Sequence, residues 1–267
     1  MHDLGHTAAF LSIAATRIER GHASHVDEVL AEETPVSMAY NGAAHAVMMA
    51  TPSDLEDFAY GFSLTEGIIQ RTDELTAVGT VKYSRGIELQ METSRPVAPD
   101  RRVRRLSGRT GCGICGKEDI EQVLREIPHV SSGRRFEPAA IVRAMESMTR
   151  QQPLNAATGA MHAAAWADGN GVVSFVREDV GRHNALDKVI GAVTRAGTAG
   201  PSGFVLLTSR GSFELVQKAA VLGVGLIATV SAPTALAARM AHDLGITLAG
   251  FARDQRVTVY THAHRVV

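Results

Sequence analysis

The chain has 267 residues, 45% of them apolar and 21% charged, with 27 basic against 28 acidic side chains. That is the composition of an ordinary globular protein of one large or two small domains, large enough to fold without disulfide or metal staples. The near-zero balance argues against a general nucleic-acid or membrane-surface binder, and the two cysteines, both in one Cys-x-x-Cys, exclude a disulfide framework.

The first thirty or so residues read as a variable, frayed leader. Their apolar run, Ala8 to Ala15, is too short for a secretory signal and lacks a basic start. No run of about 18 apolar residues occurs, so no membrane span is expected. A cytoplasmic protein with reduced thiols follows.

Pro35–Tyr40 and Ala44–Met49 read as strands around Asn41-Gly42, a strong hairpin signal. Residues 52–67 read as a helix with Leu55, Phe58, Ala59 and Phe62 on one face and acids in its first turn. Val78–Tyr83 and Gly86–Met91 suggest a second hairpin. Residues 95–110 form a basic loop. Ile120, Val123, Leu124 and Ile127 recur at helical spacing just after the cysteines. From residue 171 the pattern becomes strand, helix, strand. Strands are expected at 171–176, 204–207, 224–230, 246–251 and 257–260. Helices lie between them around Leu186–Val193, Leu215–Leu222 and Leu236–Ala241, the last with Pro233 just inside its start. This alternation implies an α/β sheet with crossover helices. The boundaries expected are a leader (1–30), a β-rich and helical region (31–110), the cysteine loop and its helix (111–150) and the sheet domain (151–267), packed as one unit.

The cysteine segment is Gly111-Cys112-Gly113-Ile114-Cys115-Gly116. Its glycines suit a mobile, accessible loop. Cys115 stands at the start of the following helix, and Arg95, Arg101, Arg102, Arg104, Arg105 and Arg109 precede it against one acid, Asp100. Unpaired helix amides and positive charge both favour a thiolate. Four readings remain open: inert structural thiols, half of a zinc site, a thioredoxin-like redox pair, or a thiol that carries an atom such as sulfur. Zinc lacks a second Cys pair, and His262-x-His264 has the wrong spacing. A thioredoxin-like pair would follow an apolar strand, where this chain has a basic loop.

Most of the eleven histidines are scattered. His162 lies in a small-residue segment. His183 lies in Arg177-Glu178-Asp179-Val180-Gly181-Arg182-His183-Asn184-Ala185-Leu186-Asp187-Lys188, a polar string between a strand and a helix, where α/β sheets bind ligands. Arg177, Arg182, His183 and Asn184 are its candidate contacts. Three more loops leave strands at the same end: Thr208-Ser209-Arg210-Gly211-Ser212, Ser231-Ala232-Pro233-Thr234 and Phe251-Ala252-Arg253-Asp254-Gln255-Arg256. Free amides, hydroxyls and arginines suit an anion, a nucleotide or phosphorylated cofactor. No Gly-x-x-x-x-Gly-Lys-Ser/Thr is present, which argues against a P-loop.

Taken together, these stretches resemble the formate dehydrogenase accessory sulfurtransferase family (FdhD). So do Glu33-Thr34-Pro35-Val36, Met48 to Phe62, Glu66-Gly67-Ile68-Ile69 and Thr158 to Ala164. The likeness covers about residues 32–265. It implies a cytidine-deaminase-like α/β sheet with crossover helices, a smaller hairpin-rich N-terminal part, and a homodimer. It also implies a sulfur carrier. A cysteine desulfurase loads a persulfide on the Cys112/Cys115 loop, and the sulfur passes to the molybdenum or tungsten bis-guanine-dinucleotide cofactor of formate dehydrogenase. Cys112 is the expected carrier, and Cys115 resolves or stabilises the persulfide. The nucleotide tails, or a GDP-like nucleotide in their place, would sit against the three loops, and His162 or His183 could shuttle protons. No resident metal, nucleic acid or membrane is expected. A deaminase activity is not implied: that chemistry needs His-x-Glu and Pro-Cys-x-x-Cys, and here no His-x-Glu occurs and Gly111 precedes Cys112. A cofactor chaperone that transfers no sulfur is the competing function.

Overall fold

The computed structural model describes residues 8–97 and 127–267. Cys112, Cys115, the arginines from 101 to 109 and most of the helix read around Ile120 lie outside the described residues.

The region read as a leader opens on a hairpin, β1 (Phe10–Glu19) with β2 (His22–Ala31), paired antiparallel from Phe10↔Ala31 to Glu19↔His22. Arg20 and Gly21 form its turn at φ 50° and 85°. Apolar/polar alternation is weak here, which is why the sequence reads as unstructured.

β3 (Thr34–Tyr40) and β4 (Ala43–Ala50) form the expected hairpin. Asn41 and Gly42 both take positive φ, 49° and 78°, as a turn matching the strand twist requires. α1 (Leu55–Thr65) follows, starting three residues later than expected. β5 (Leu75–Tyr83) and β6 (Gly86–Thr93) make the second hairpin. β3 pairs β6 in parallel, giving a four-stranded sheet of order β4-β3-β6-β5.

After α2 (Pro138–Arg150) and the short α3 (Pro153–Thr158) comes the main sheet. It is built from β7 (His162–Ala167), β8 (Val173–Asp179), β9 (Phe204–Leu207), β10 (Leu226–Thr229), β11 (Thr247–Arg253) and β12 (Arg256–Val259). Its order is β12-β11-β10-β9-β7-β8. β9, β10 and β11 are parallel, linked through α5 (Phe213–Ala220) and α6 (Ala235–Asp243). β7 runs antiparallel to both neighbours, and β12 antiparallel to β11. α4 (Arg182–Arg195) joins β8 to β9.

Period-2 alternation divides this sheet between two cores. Ala164, Trp166, Val205 and Leu207 face α1, α4 and α5, and the same core reaches Val36, Met38 and Leu89 of the smaller sheet. Ala163, Ala165, Phe204 and Leu206 face α2 through Ile141, Met145 and Met148. The layers are therefore small sheet, helices, main sheet, α2. α1 and α4 touch closely because both present glycine. A Cβ on Gly61 would collide with the Asp187 carbonyl, and one on Gly191 with the Asp57 carbonyl. Among the described residues, no helix is long and apolar enough to cross a membrane.

Two local expectations are corrected. Thr234, not Pro233, starts α6: its Oγ1 accepts from the Ala237 amide at 3.2 Å, and Pro233 lies before the cap. Leu236 turns outward, 37% exposed, while Ala237 and Ala241 are buried.

Candidate anion-binding edge

Since β9, β10 and β11 are parallel, their C-terminal ends share one edge of the sheet. β7 begins at that edge and β8 ends there, with His162 opposite Asp179. The edge gathers His162, the start of α4 and the loops after β9, β10 and β11. The three loops read as a converging set do converge. Gly211 bridges Pro233, the Thr234 amide donates to the Gly211 carbonyl at 2.8 Å, and the Phe251 amide to the Ser231 carbonyl at 3.3 Å.

The third of them is shorter than read. Phe251, Ala252 and Arg253 belong to β11 and Arg256 opens β12, so only Asp254 and Gln255 form a turn, at φ 53° and 57°. Ala252 is fully buried in the α2-side core and offers nothing to a ligand but backbone. Gln255 donates to Glu146 at 2.8 Å. Arg253 is exposed, 3.7 Å from Asp254, and the Arg256 guanidinium lies 5.0 Å from the Phe251 ring centre. Ser209 is buried with its hydroxyl on the Arg210 carbonyl at 3.1 Å, whereas Arg210 itself is exposed. Among the described residues neither Arg182 nor Arg210 has a carboxylate within ion-pair distance. The edge therefore offers several guanidinium groups to an anion.

The polar string behaves differently, because most of its charges are spent inside the protein. Arg177 turns toward α1, bonding Asp57 at 2.7 and 2.9 Å and lying 3.3 Å from Asp54. Glu178 accepts from the Leu154 and Asn155 amides at 2.9 and 2.7 Å, capping α3. Asp179, fully buried, accepts from Lys188 at 2.7 Å and from the Thr51 and Gly181 amides at 3.0 and 2.8 Å. Lys188, also fully buried, donates to the Thr51 carbonyl at 2.9 Å. Asn184 donates to Asp179 at 3.0 Å and to the Met49 carbonyl at 2.8 Å. Asp187 binds Lys218 at 2.9 Å and Thr65 at 2.7 Å. Of the string's candidate contacts, Arg182 and His183 reach the edge as the first residues of α4, and Arg177 and Asn184 serve its foundation.

His183 is 1% exposed, with Nε2 3.2 Å from Glu214, which also accepts from Ser212 at 2.9 Å. Burial alone would raise the Glu214 carboxyl, but hydrogen bonds from His183 and Ser212, with Arg182 nearby, hold it below the usual range. His183 Nδ1 and Asn184 Oδ1 are buried with no hydrogen-bond partner among the described residues. His162 is half-buried. Desolvation first, then the neighbouring Arg182 and His183, push its imidazole below the ordinary value. Glu214 is absent from the sequence reading, and Thr51 enters it only within the stretch Met48 to Phe62, with no role of its own. Glu214 carried a signal, an acid two residues after a hydroxyl at a helix start; Thr51 carried none.

Comparison with known proteins agrees with this architecture. Residues 31–267 match the model of the FdhD/NarQ family. A protein named sulfur carrier protein FdhD from Xanthomonas campestris pv. campestris (strain B100) is 50% identical, covering 92% of this chain and 88% of its own. One of the same name from Bordetella petrii is 49% identical over 92% and 89%. A crystal structure described as that of a formate dehydrogenase accessory protein from Desulfotalea psychrophila superposes with a TM-score of 0.76. It covers 97% of this chain and 100% of its own at 24% identity, a likeness of fold. With a family model spanning all but its first thirty residues and relatives at half identity, this chain belongs to the FdhD/NarQ family.

Proposed function

We propose that the protein carries sulfur to the metal cofactor of formate dehydrogenase. The observation that supports this most is the sheet edge, which gathers Arg182, Arg210, Arg253 and Arg256 in a chain whose relatives are named sulfur carriers. Two linked guanine dinucleotides are polyanions, and arginine forks recognise phosphate bidentately. The cytidine-deaminase-like description of the main sheet, the homodimer and the cytoplasmic location belong to the same proposal.

Cys112 acts as the carrier. Its thiolate attacks the terminal sulfur of a cysteine desulfurase persulfide. The S–S bond of the donor breaks, the desulfurase thiolate leaves, and a persulfide forms on Cys112 with no net change of oxidation state. In the delivery step the Cys115 thiolate attacks Cys112 Sγ and hydrosulfide leaves for the bound cofactor. Oxidation of the cysteine pair to the Cys112–Cys115 disulfide supplies the two electrons that reduce sulfane sulfur to sulfide, and a dithiol reductant restores the pair. The bound client contributes an anionic handle and an open metal position. Arg182, Arg210 and Arg253 hold that handle, and His162, its imidazole held below the ordinary value, accepts a proton at the edge.

The reading is tested by incubating the protein with a desulfurase and cysteine and mapping persulfide by mass spectrometry. The added mass is expected on Cys112, and wild-type loading of Cys112→Ala would remove that assignment. The same edge would serve a chaperone that moves no sulfur. Retained nucleotide binding and retained activation of formate dehydrogenase in Cys112→Ala/Cys115→Ala would decide for the chaperone.

A further inference from the structure

Four histidines gather at the end of α6 opposite the sheet edge. His242 lies in the last turn of that helix, and His262 and His264 in the segment 261–267 that crosses it. The His242 and His262 rings are stacked, 5.1 Å between centres and 3° from parallel, and His264 meets His262 edge-on at 6.1 Å. His262 Nε2 lies 3.1 Å from the His242 carbonyl. A carbonyl can only accept, so Nε2 carries the hydrogen. His129 closes the other side, its ring filling the space where a Cβ on Gly245 would stand. Arg265 donates to the Gly245 carbonyl at 2.5 Å. His262 is half-buried; the other three histidines are exposed. It also takes φ 50° and ψ 45°, left-handed backbone that is uncommon outside glycine and persists only where its surroundings enforce it. Desolvation, then Arg265, His242 and His264, hold its imidazole below the ordinary value, against the opposing bond to the His242 carbonyl. Asp243, in the same turn of α6, is exposed and forms no ion pair with these groups among the described residues.

We propose that the His242–His262 stack is a pH-sensitive latch, holding the segment 261–267 to the end of α6 while its imidazoles are neutral and releasing it when they are protonated. Neutral rings pack face to face around one hydrogen bond. Charged rings 5.1 Å apart repel, and Arg265, His264 and His129 add positive charge at the same place. Leaving the left-handed turn at His262 also favours release. The sign follows from linkage. A histidine held low in the closed form contributes in full above the free value of about 6.5, and that contribution is lost as pH falls through the closed-form value. Beyond the stack, the segment is held by backbone bonds to Phe136, from the Phe136 amide to the Arg265 carbonyl at 2.7 Å and from the Val267 amide to the Phe136 carbonyl at 3.0 Å. The latch closes on the helix whose other end, through the Thr234 amide and the Gly211 carbonyl, frames the anion-binding edge.

This latch is independent of the sulfur chemistry and is tested without it. Hydrogen exchange of the full chain is compared at pH 7.5 and 5.5, corrected for the intrinsic pH dependence of amide exchange. The Arg265, Val266 and Val267 amides are all hydrogen-bonded in the closed form. In wild type their protection should fall about tenfold at the lower pH, while the amides of β9 and β10 keep theirs. His242→Gln, at an exposed position, removes the partner charge and should limit the fall to under about threefold. His262→Phe keeps a ring in the stack without a charge and should do the same. Should His262→Phe fail to fold, His242→Gln decides alone. Equal protection of the wild-type segment at both pH values overturns the proposal. So does an undiminished fall in either folded variant, or a loss of protection shared by β9 and β10, which marks general acid unfolding.

Discussion

The string from Arg177 to Lys188 and the loop after β9 lie at the same sheet edge, yet they use charge in opposite ways. The string is dense in ionic groups and spends most of them inward. Asp179 and Lys188 are both fully buried, and Arg177 is held by Asp57. The β9 loop has one cation, Arg210, and leaves it exposed. Density of charged residues therefore marks the foundation here, and isolated arginines mark the proposed binding surface. Buried ions must be paired to be tolerated; an ion that receives a ligand must not be paired already.

Four experiments would sharpen or break this contrast. The largest effect is expected from Lys188→Met, which leaves the Asp179 carboxylate buried without its cation. Stability measured by denaturant unfolding should fall by about 3–5 kcal/mol. Gly61→Ala comes next, because its methyl would collide with the backbone carbonyl of Asp187; a loss of about 1–3 kcal/mol is expected in the same measurement. Arg210→Ala should behave in the reverse manner. Its unfolding should change by under about 0.5 kcal/mol, while calorimetric binding of guanosine diphosphate weakens about tenfold. If Arg210→Ala destabilises as Lys188→Met does, the two regions are not distinct.

The smallest effect concerns pH. His162 is held below its unfolded value by desolvation and by Arg182 and His183. Its contribution to stability is complete above the unfolded histidine pKa of about 6.5 and is lost as pH falls through the folded value. Glu214 is also held low, so its contribution holds above the carboxylate range of about 4 and is lost further into acid. Thermal midpoints measured from pH 7.5 to 5.5 should decline less steeply for His162→Gln than for wild type. An unchanged slope would show that His162 is not held neutral.

Much of this arrangement was legible in the residues. Asn41-Gly42 specifies its hairpin because both residues must take positive φ, and the apolar spacing of Leu186, Val189, Ile190 and Val193 specifies α4. The convergence of the loops follows from parallel strands, which crossover helices impose. Other features were not legible, among them β7, α2 and α3, which no element of the sequence reading covers. β1 and β2 lack a buried face, so no period-2 pattern announces them. The pairing of β3 with β6 is a choice among edges that no local signal makes. Within the polar string, Arg177 and Arg182 look equally suited to a ligand. Only the strand that turns Arg177 toward Asp57, and the helix start that leaves Arg182 at the edge, tell them apart.

The bond from the Thr51 amide to Asp179 spans 128 residues of chain. Asn184 likewise reaches back to Met49 across 135. The foundation of the edge cannot close until β8 and α4 have emerged from the ribosome, and β9, β10 and β11 must follow to supply the loops. Contacts this distant in sequence form late and slowly. Assembly therefore has a fixed order in time: the edge proposed to receive an anionic client takes shape only after these late segments have joined the early ones.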